Sequence, residues 1–255
     1  MPGPFDLTGR VALITGGNGG IGLGMARGLA RAGASLVIAG RNAEKNAAAV
    51  AELAALGAPC EALQVDVANE AACRAMPEAA KARFGRLDVL VNNAGIALGG
   101  LPQAISLADW NAVLQTNLTA VMVASQAAHP LMRAQGGGKI INIGSMYAIF
   151  GGPFQPAYAA AKGGLIQLTK SQAAAWARHN IQVNAILPGW IVTEMTDGAR
   201  TSATGFSDSI VVRTPAGRWG EPSDFEGPAV FLSSLASDFV TGASLAVDGG
   251  FSISG

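Results

Sequence analysis

Three side chains with complementary chemistry lie close together in the sequence: a hydroxyl at Ser145, a phenol at Tyr158 and an ammonium at Lys162. The apolar run Ile140, Ile141, Ile143 reads as a buried strand that ends on Ser145. Ala157-Tyr158-Ala-Ala-Ala-Lys162 opens a long Ala-rich helix, after an irregular Gly/Pro-bearing run from Met146 to Pro156. On that helix Tyr158 and Lys162 are four apart and share a face. An ammonium beside a phenol favours the phenolate, and is expected to lower the Tyr158 pKa from its reference of about 10 toward the working range of a general acid or base. Such a group could donate a proton to a carbonyl oxygen. Taken alone, a Tyr-x-x-x-Lys spacing is more often a snorkelling surface pair. The surrounding elements decide between the two.

Apolar strand-like runs alternate with helical patterns along almost the whole chain. The runs are Val11 to Thr15, Leu36 to Ala39, Ala62 to Val65, Leu87 to Val91, Ile140 to Ile143, Ile181 to Ile186 and Ser244 to Val247. Amphipathic or Ala-rich segments fall near 20–34, 42–56, 69–84, 106–134, 157–178 and 222–236. Strands that are apolar without alternation, each followed by a helix, predict an α/β fold: a doubly wound parallel sheet of about seven strands covered on both faces. No repeat or Pro-rich linker divides residues 1–255, which reads as one dinucleotide-binding domain. Trp190 to Arg218 is longer than a helix-strand connection needs and carries scattered Gly198, Gly205, Pro215 and Gly217. It is expected to be an irregular substrate lid.

The first turn, Thr15-Gly-Gly-Asn-Gly-Gly-Ile-Gly22, directly follows a strand and precedes a helix. Glycines there let backbone approach a pyrophosphate, and the helix N-terminus offers it free N–H groups and a positive dipole end. Two registers fit: Gly17, Gly19, Gly22, or Gly16, Gly20, Gly22. A Walker-type loop is excluded, because no Gly-Lys-Ser/Thr follows. After the second strand, where an NAD site would place an acid for the ribose hydroxyls, stand Ala39-Gly40-Arg41-Asn42, with no acid before Glu44. A guanidinium instead suits a 2′-phosphate. NADP(H) is favoured, with NAD(H) as the alternative. Asp66-Val67 and Asn92-Asn93-Ala94-Gly95 mark the ends of strands three and four, where ligands collect in open α/β sheets. Asn117 is a poor helix former in mid-helix.

Half of the residues are hydrophobic and 13% are charged, which excludes a disordered chain. Lys plus Arg balance Asp plus Glu at 17 each without a basic run, so neither nucleic acid nor an anionic membrane is an expected partner. No secretory-signal pattern opens the sequence and no uncharged apolar run is long enough to span a bilayer. Cys60 and Cys73 lack metal-ligand spacing, and free thiols suit a reducing cytoplasm, the expected location. His129 and His179 read as packing or surface residues, and no metal site is expected.

Together these residues resemble the short-chain dehydrogenase/reductase family over nearly the whole chain. Thr15 to Gly22 is similar to its Thr-Gly-x-x-x-Gly-Ile-Gly signature, which favours the register Gly16, Gly20, Gly22. Asn92 to Gly95 is similar to its Asn-Asn-Ala-Gly. Asn117, Ser145, Tyr158 and Lys162 resemble its catalytic tetrad, with the serine thirteen residues before the tyrosine. Pro188-Gly189-Trp190-Ile191-Val192-Thr193 resembles the segment that contacts the nicotinamide, and Asp248-Gly249-Gly250 the usual end. The resemblance implies cofactor contacts at Asn18, Gly19, Ile21, Asn42, Asn93, Ala94 and Gly95. It also implies that Asp66 and Val67 flank the adenine, and that Ile191 and Thr193 hold the carboxamide.

The implied reaction interconverts a ketone and a secondary alcohol. Tyr158 gives its proton to the alkoxide, Ser145 donates a hydrogen bond to the same oxygen, Lys162 tunes Tyr158 and binds the nicotinamide ribose, and Asn117 holds a water that leads to solvent. Residues expected to border the substrate are Ile96, Met146, Tyr147, Ile149, Phe154, Trp190 and Met195. They favour a ketone with hydrophobic bulk, while Arg200, Arg213 and Arg218 keep an anionic sugar acid or polyol open. The pattern is similar to the gluconate 5-dehydrogenase, glucose 1-dehydrogenase and 3-oxoacyl carrier protein reductase branches. An NAD(H)-dependent sugar, sugar-acid or polyol dehydrogenase is the alternative within the family, and a non-catalytic NADP(H)-binding regulator the alternative outside enzymes. The resemblance implies a homotetramer, paired into dimers through the helices at 106–134 and 157–178 and joined into tetramers through the last helix and strand.

Overall fold

Seven strands, all parallel, form among the described residues, which are 3–202 and 205–254 of this computed structural model. They are β1 Val11–Thr15, β2 Ser35–Gly40, β3 Cys60–Gln64, β4 Val89–Asn92, β5 Gly138–Ile143, β6 Ile181–Pro188 and β7 Ser244–Val247. Their order across the sheet is β3-β2-β1-β4-β5-β6-β7, so the winding reverses between β1 and β4. At such a switch point the connections leave to opposite sides and open a crevice at the strands' carboxyl ends.

Successive side chains on a strand point to opposite faces, and both faces are dry. Ile14, Leu36 and Ile38 pack under α1 Gly20–Arg31, α2 Ala43–Ala55 and α9 Glu226–Ser233, with Met25, Leu53 and Phe225. Leu13, Val37, Leu90 and Ile140 pack on the other face under α3 Glu70–Phe84, α5 Ala120–Ala134 and α6 Pro156–Trp176. Those strands are therefore apolar on both faces over most of their length, with no polar side to alternate with, and Asn92 and Asn142 are buried polar interruptions.

Two predicted elements come out differently. The helix expected over 106–134 is α4 Leu107–Leu114, one π-helical turn Gln115–Thr119, then α5. The turn is centred on Asn117, whose fully buried amide is bound to backbone outside the helix. The segment 190–218, expected to be irregular, contains α7 Glu194–Arg200 and α8 Phe206–Arg213; its residues 203–204 lie outside the described residues. Thr193 and Thr196 form a reciprocal capping box that starts α7, and α8 turns Phe206 and Ile210 onto Trp190, Trp219 and Met146. Each helix is too short to show a period through the glycines around it. His129 and His179 are not isolated but paired, Nε2 to Nδ1 at 3.0 Å, against Trp176.

Candidate active site

The carboxyl ends of β1, β4, β5 and β6 meet in a cleft of about 490 Å³. Its floor begins with the glycine turn, where the register Gly16, Gly20, Gly22 is the one the backbone needs. Gly20 has φ +49°, a left-handed conformation that a side chain would strain. A Cβ on Gly22 would stand 2.2 Å from the Gly16 carbonyl oxygen. Gly22 is thus a packing contact behind the turn, while Gly16, Asn18, Gly19, Gly20 and Ile21 line the cleft.

The turn is braced from β4. The Asn93 amide donates to the Thr15 and Gly16 carbonyls, each at 3.0 Å, and the Thr15 hydroxyl accepts from the Asn93 and Ala94 N–H groups at 2.9 and 3.0 Å. Asn93, Ala94 and Gly95 therefore reach the cleft as a fixed shelf. On the other side the Asn18 amide donates to Asn46 Oδ1 at 2.6 Å, tying the turn to α2. Asn42 caps α2 by accepting from the Lys45 N–H at 2.9 Å. Arg41, Asn42, Asp66 and Val67 line this end of the cleft. Among the described residues no carboxylate pairs with the Arg41 guanidinium, and none stands at the end of β2.

The chemistry-bearing end is built by β5 and α6. The strand hands over to Gly144 and Ser145, and the Ser145 hydroxyl caps the following 3-10 turn, Met146–Ala148, by accepting from the Tyr147 N–H at 3.2 Å. Tyr158 and Lys162 share the first turns of α6 and both face the cleft. Lys162, only 4% exposed, donates to the Ile143 carbonyl at 2.6 Å, with its ammonium 5.4 Å from the Tyr158 ring centre. The expected depression of the Tyr158 pKa is not found. Burial pushes the phenol up to about 12, against a lowering hydrogen bond from Ser145, and burial brings Lys162 down to about 8. Both groups lose water together, and desolvation is the largest influence on each.

Asn117 is fully buried behind them. Its Oδ1 accepts from the Ile96 N–H at 2.9 Å and its Nδ2 donates to the Ile96 carbonyl at 2.8 Å, so its side chain holds the loop after β4. Pro188 and Gly189 close the cleft from β6, where a Cβ on Gly189 would meet Asp248 at 2.7 Å. Ile191 and Thr193 line the lid side.

The expected substrate border is only partly assembled. Ile96, Ser145 and Met195 line the cleft, and Tyr147 stands edge-on to Tyr158, their centres 6.2 Å apart. Met146 does not face it, being buried with Ile210, Trp219 and Phe251, and Trp190 packs into the same aromatic cluster. Phe154 and Ile149 point outward, 62% and 57% exposed. Of the candidate cations, Arg200 pairs with Asp197 and Arg218 with Asp224, while Arg213 lies over the Phe251 ring at 4.2 Å. The sequence reading missed Thr116, Lys45, Glu194 and Thr196, all of which line the cleft. For Lys45 a signal existed, four residues beyond Arg41 on the first turn of α2.

An elongated dinucleotide fits these features. The Gly19 backbone is open, with no atom within 4 Å of where a Cβ would be, and such bare backbone beside a helix N-terminus suits a pyrophosphate. Among the described residues no group of three or more His, Cys, Asp or Glu could hold a metal ion, and no helix is long and apolar enough to cross a membrane.

Residues 16–252 match the family model described as Enoyl-(Acyl carrier protein) reductase. The chain is 44% identical over 248 residues to the 2-dehydro-3-deoxy-D-gluconate 5-dehydrogenase of Escherichia coli strain K12, covering 97% of both chains. It is 42% identical over 253 residues to the gluconate 5-dehydrogenase of Gluconobacter oxydans strain 621H, covering 99% of this chain and 98% of that one. Among solved structures, a gluconate 5-dehydrogenase from Burkholderia cenocepacia J2315, in complex with NADP and tartrate, superposes with a TM-score of 0.94 at 45% identity, covering 99% of this chain and 98% of the other. With its sheet order, its glycine turn and its Ser145, Tyr158 and Lys162 at one cleft, the chain belongs to the short-chain dehydrogenase/reductase family, as an oxidoreductase acting on CH–OH groups.

Proposed function

We propose that the protein is an NADP(H)-dependent reductase and dehydrogenase that interconverts a keto group and a secondary alcohol on a short polyhydroxylated acid. The observation that carries this reading is the layout of one cleft: Ser145, Tyr158 and Lys162 at one end, and Arg41 with no acid beside it at the other. The acid substrate class is taken from the gluconate enzymes to which the chain is similar, and NADP from the complex of one of them.

When bound, the nicotinamide exchanges a hydride with the substrate's reacting carbon. Tyr158 manages the oxygen of that carbon. Held above its usual pKa, its phenol is protonated at neutral pH, the form that reduction needs from a general acid. Ser145 donates a hydrogen bond to the same oxygen and orients it. Lys162, brought near pH 8, can pass a proton on toward solvent without a large barrier at working pH, so that Tyr158 is recharged after each turnover. The π-helical turn at Asn117 departs from α-helical backbone bonding beside Lys162, which suits it to holding the first water of that relay. Gly16, Asn18, Gly19, Gly20 and Ile21 would hold the pyrophosphate, Arg41 and Asn42 the 2′-phosphate, Asp66 and Val67 the adenine, and Ile191 and Thr193 the carboxamide. Helices α7 and α8 would act as a lid, and the protein would assemble as a homotetramer.

Reduced-nicotinamide absorbance across aryl ketones, diketones, keto sugars, keto acids and 3-oxoacyl thioesters, with NADPH and NADH in parallel, tests the whole reading. Turnover of keto sugar acids with clear NADPH preference is expected. Better rates with NADH would overturn the role given to Arg41, and turnover of thioesters alone would overturn the substrate class.

A further inference from the structure

Lys45 and Glu194 face each other across the mouth of the cleft, although 149 residues separate them in sequence. The Lys45 ammonium lies 2.7 Å from both Glu194 carboxylate oxygens. Lys45 stands on the first turn of α2, next to Arg41 and Asn42; Glu194 is the first residue of α7. Thr193, just before it, lies 3.2 Å from where a Cβ on Gly20 would be, so α7 starts against the glycine turn itself. Both residues line the cleft and both remain substantially open to water, 48% and 85% exposed at the side chain.

We propose that Lys45 is a cation with two positions: paired with Glu194 it straps α7 over the dinucleotide cleft, and on cofactor binding it moves to the 2′-phosphate beside Arg41. This rests on the NADP(H) reading above. Its physical basis is a competition. An exposed carboxylate–ammonium pair contributes little to stability, so the strap opens readily. A phosphate monoester carries about −1.5 to −2 charge at pH 7 against the −1 of a carboxylate, and at equal distance attracts the ammonium correspondingly more. Lysine suits the exchange because its ammonium is a point charge on a flexible stem, with no fixed fork to realign.

Lys45 discriminates between cofactors, and the strap holds that discrimination back. NADPH provides a new partner for Lys45 and has to open the pair to reach it; NADH provides none and binds with the pair closed.

The test is calorimetric titration of NADPH and NADH into the wild type, Lys45→Gln, Lys45→Arg, Glu194→Gln and the double variant Lys45→Gln/Glu194→Gln, read as the ratio of the two dissociation constants. Lys45→Gln should lower the NADPH preference about tenfold, the size of one charge-assisted hydrogen bond, and Lys45→Arg should restore most of it. Glu194→Gln should raise the preference by a few-fold with Lys45 present, and leave it unchanged in the Lys45→Gln background. A clear wild-type preference that survives Lys45→Gln, or a Glu194→Gln effect of the same size without Lys45, overturns the two-position role alone. A wild type that does not prefer NADPH overturns the NADP(H) reading and this proposal together.

Discussion

At Tyr158 the surrounding protein pushes the phenol away from ionisation, and at Lys162 it pushes the amine toward neutrality. Each direction has a consequence that can be measured. Tyr158→Phe removes the proton transferred to the substrate oxygen and little of the cofactor surface. NADPH affinity should stay nearly unchanged while turnover falls about a hundred- to ten-thousandfold, the range of general acid catalysis; near-normal turnover would sink the assignment. Lys162 has a folded pKa near 8, below its ordinary 10.5, so between those values the unfolded chain holds the extra proton. The contribution of Lys162 to the stability of the cofactor-free protein should therefore rise with pH through that window, by about 2 kcal/mol from pH 8 to 10. It is read as the difference from Lys162→Met, because Cys60 and Cys73, pushed up to about 12 and about 11 by burial, act in the opposite sense above pH 9. The gain should vanish in Lys162→Met when urea unfolding is followed at several pH values, and an identical slope in both proteins would refute it. Tyr158, raised from 10 to about 12, acts in the opposite sense above pH 10, which fixes the upper end of the experiment. Ser145, Tyr158 and Lys162 were legible because a strand end and one helical turn fix their relation locally. The Lys162 bond to the Ile143 carbonyl and the Lys45–Glu194 pair were not, because no local period brings those partners together.

Among the elements, the π-helical turn and the strand ends are held by buried amides. The Asn92 side chain donates to Ser125 Oγ at 3.1 Å and to Asn142 Oδ1 at 2.9 Å, and Asn142 donates to Thr169 Oγ1 at 2.9 Å, linking β4, β5, α5 and α6 beneath the site. Asn92 and Asn142 read in the sequence only as polar interruptions of apolar strands; their partners come from helices 33 and 27 residues away. The same holds for Asn117, whose mid-helix position was a signal without an explanation until Ile96 supplied one. Asn117→Ala would leave the Ile96 N–H and carbonyl without their partner; a fully buried unmet group costs about 1 to 3 kcal/mol, and Ile96, half-buried at the cleft, recovers part of that from water. Urea unfolding should show a loss of about 2 to 4 kcal/mol together with a fall in turnover. A variant as stable as the wild type would show that the loop after β4 holds itself. The five inner strands were readable for the opposite reason: both faces of the parallel sheet are dry there, so the apolar runs stand out. Boundaries moved by up to two residues, and α7 and α8 were missed because their helical character depends on a capping box and an aromatic cluster rather than on period.

On the scale of the molecule, the sheet's last strand is an open edge with apolar surface beside it. β7 alternates exposed and half-buried residues, and just before it Phe239 is fully exposed, with Leu235 and Phe5 each 52% exposed. The Pro4 carbonyl accepts from the Ala236 N–H at 3.1 Å, which brings the Phe5 segment against the Leu235 turn. An unpaired edge with large apolar side chains beside it is a surface that proteins cover, and a net charge of zero adds no repulsion between copies. The proposed homotetramer would cover it by pairing this edge with its own copy, leaving the helices at 106–134 and 157–178 for the other contact. Phe239→Asp places a charge at the centre of the first contact and touches neither the cleft nor the second. Light scattering should give a tetramer for the wild type and a dimer for Phe239→Asp, with NADPH affinity unchanged in the dimer. A monomeric wild type would refute the assembly, and a variant that stays tetrameric would move the contact away from β7.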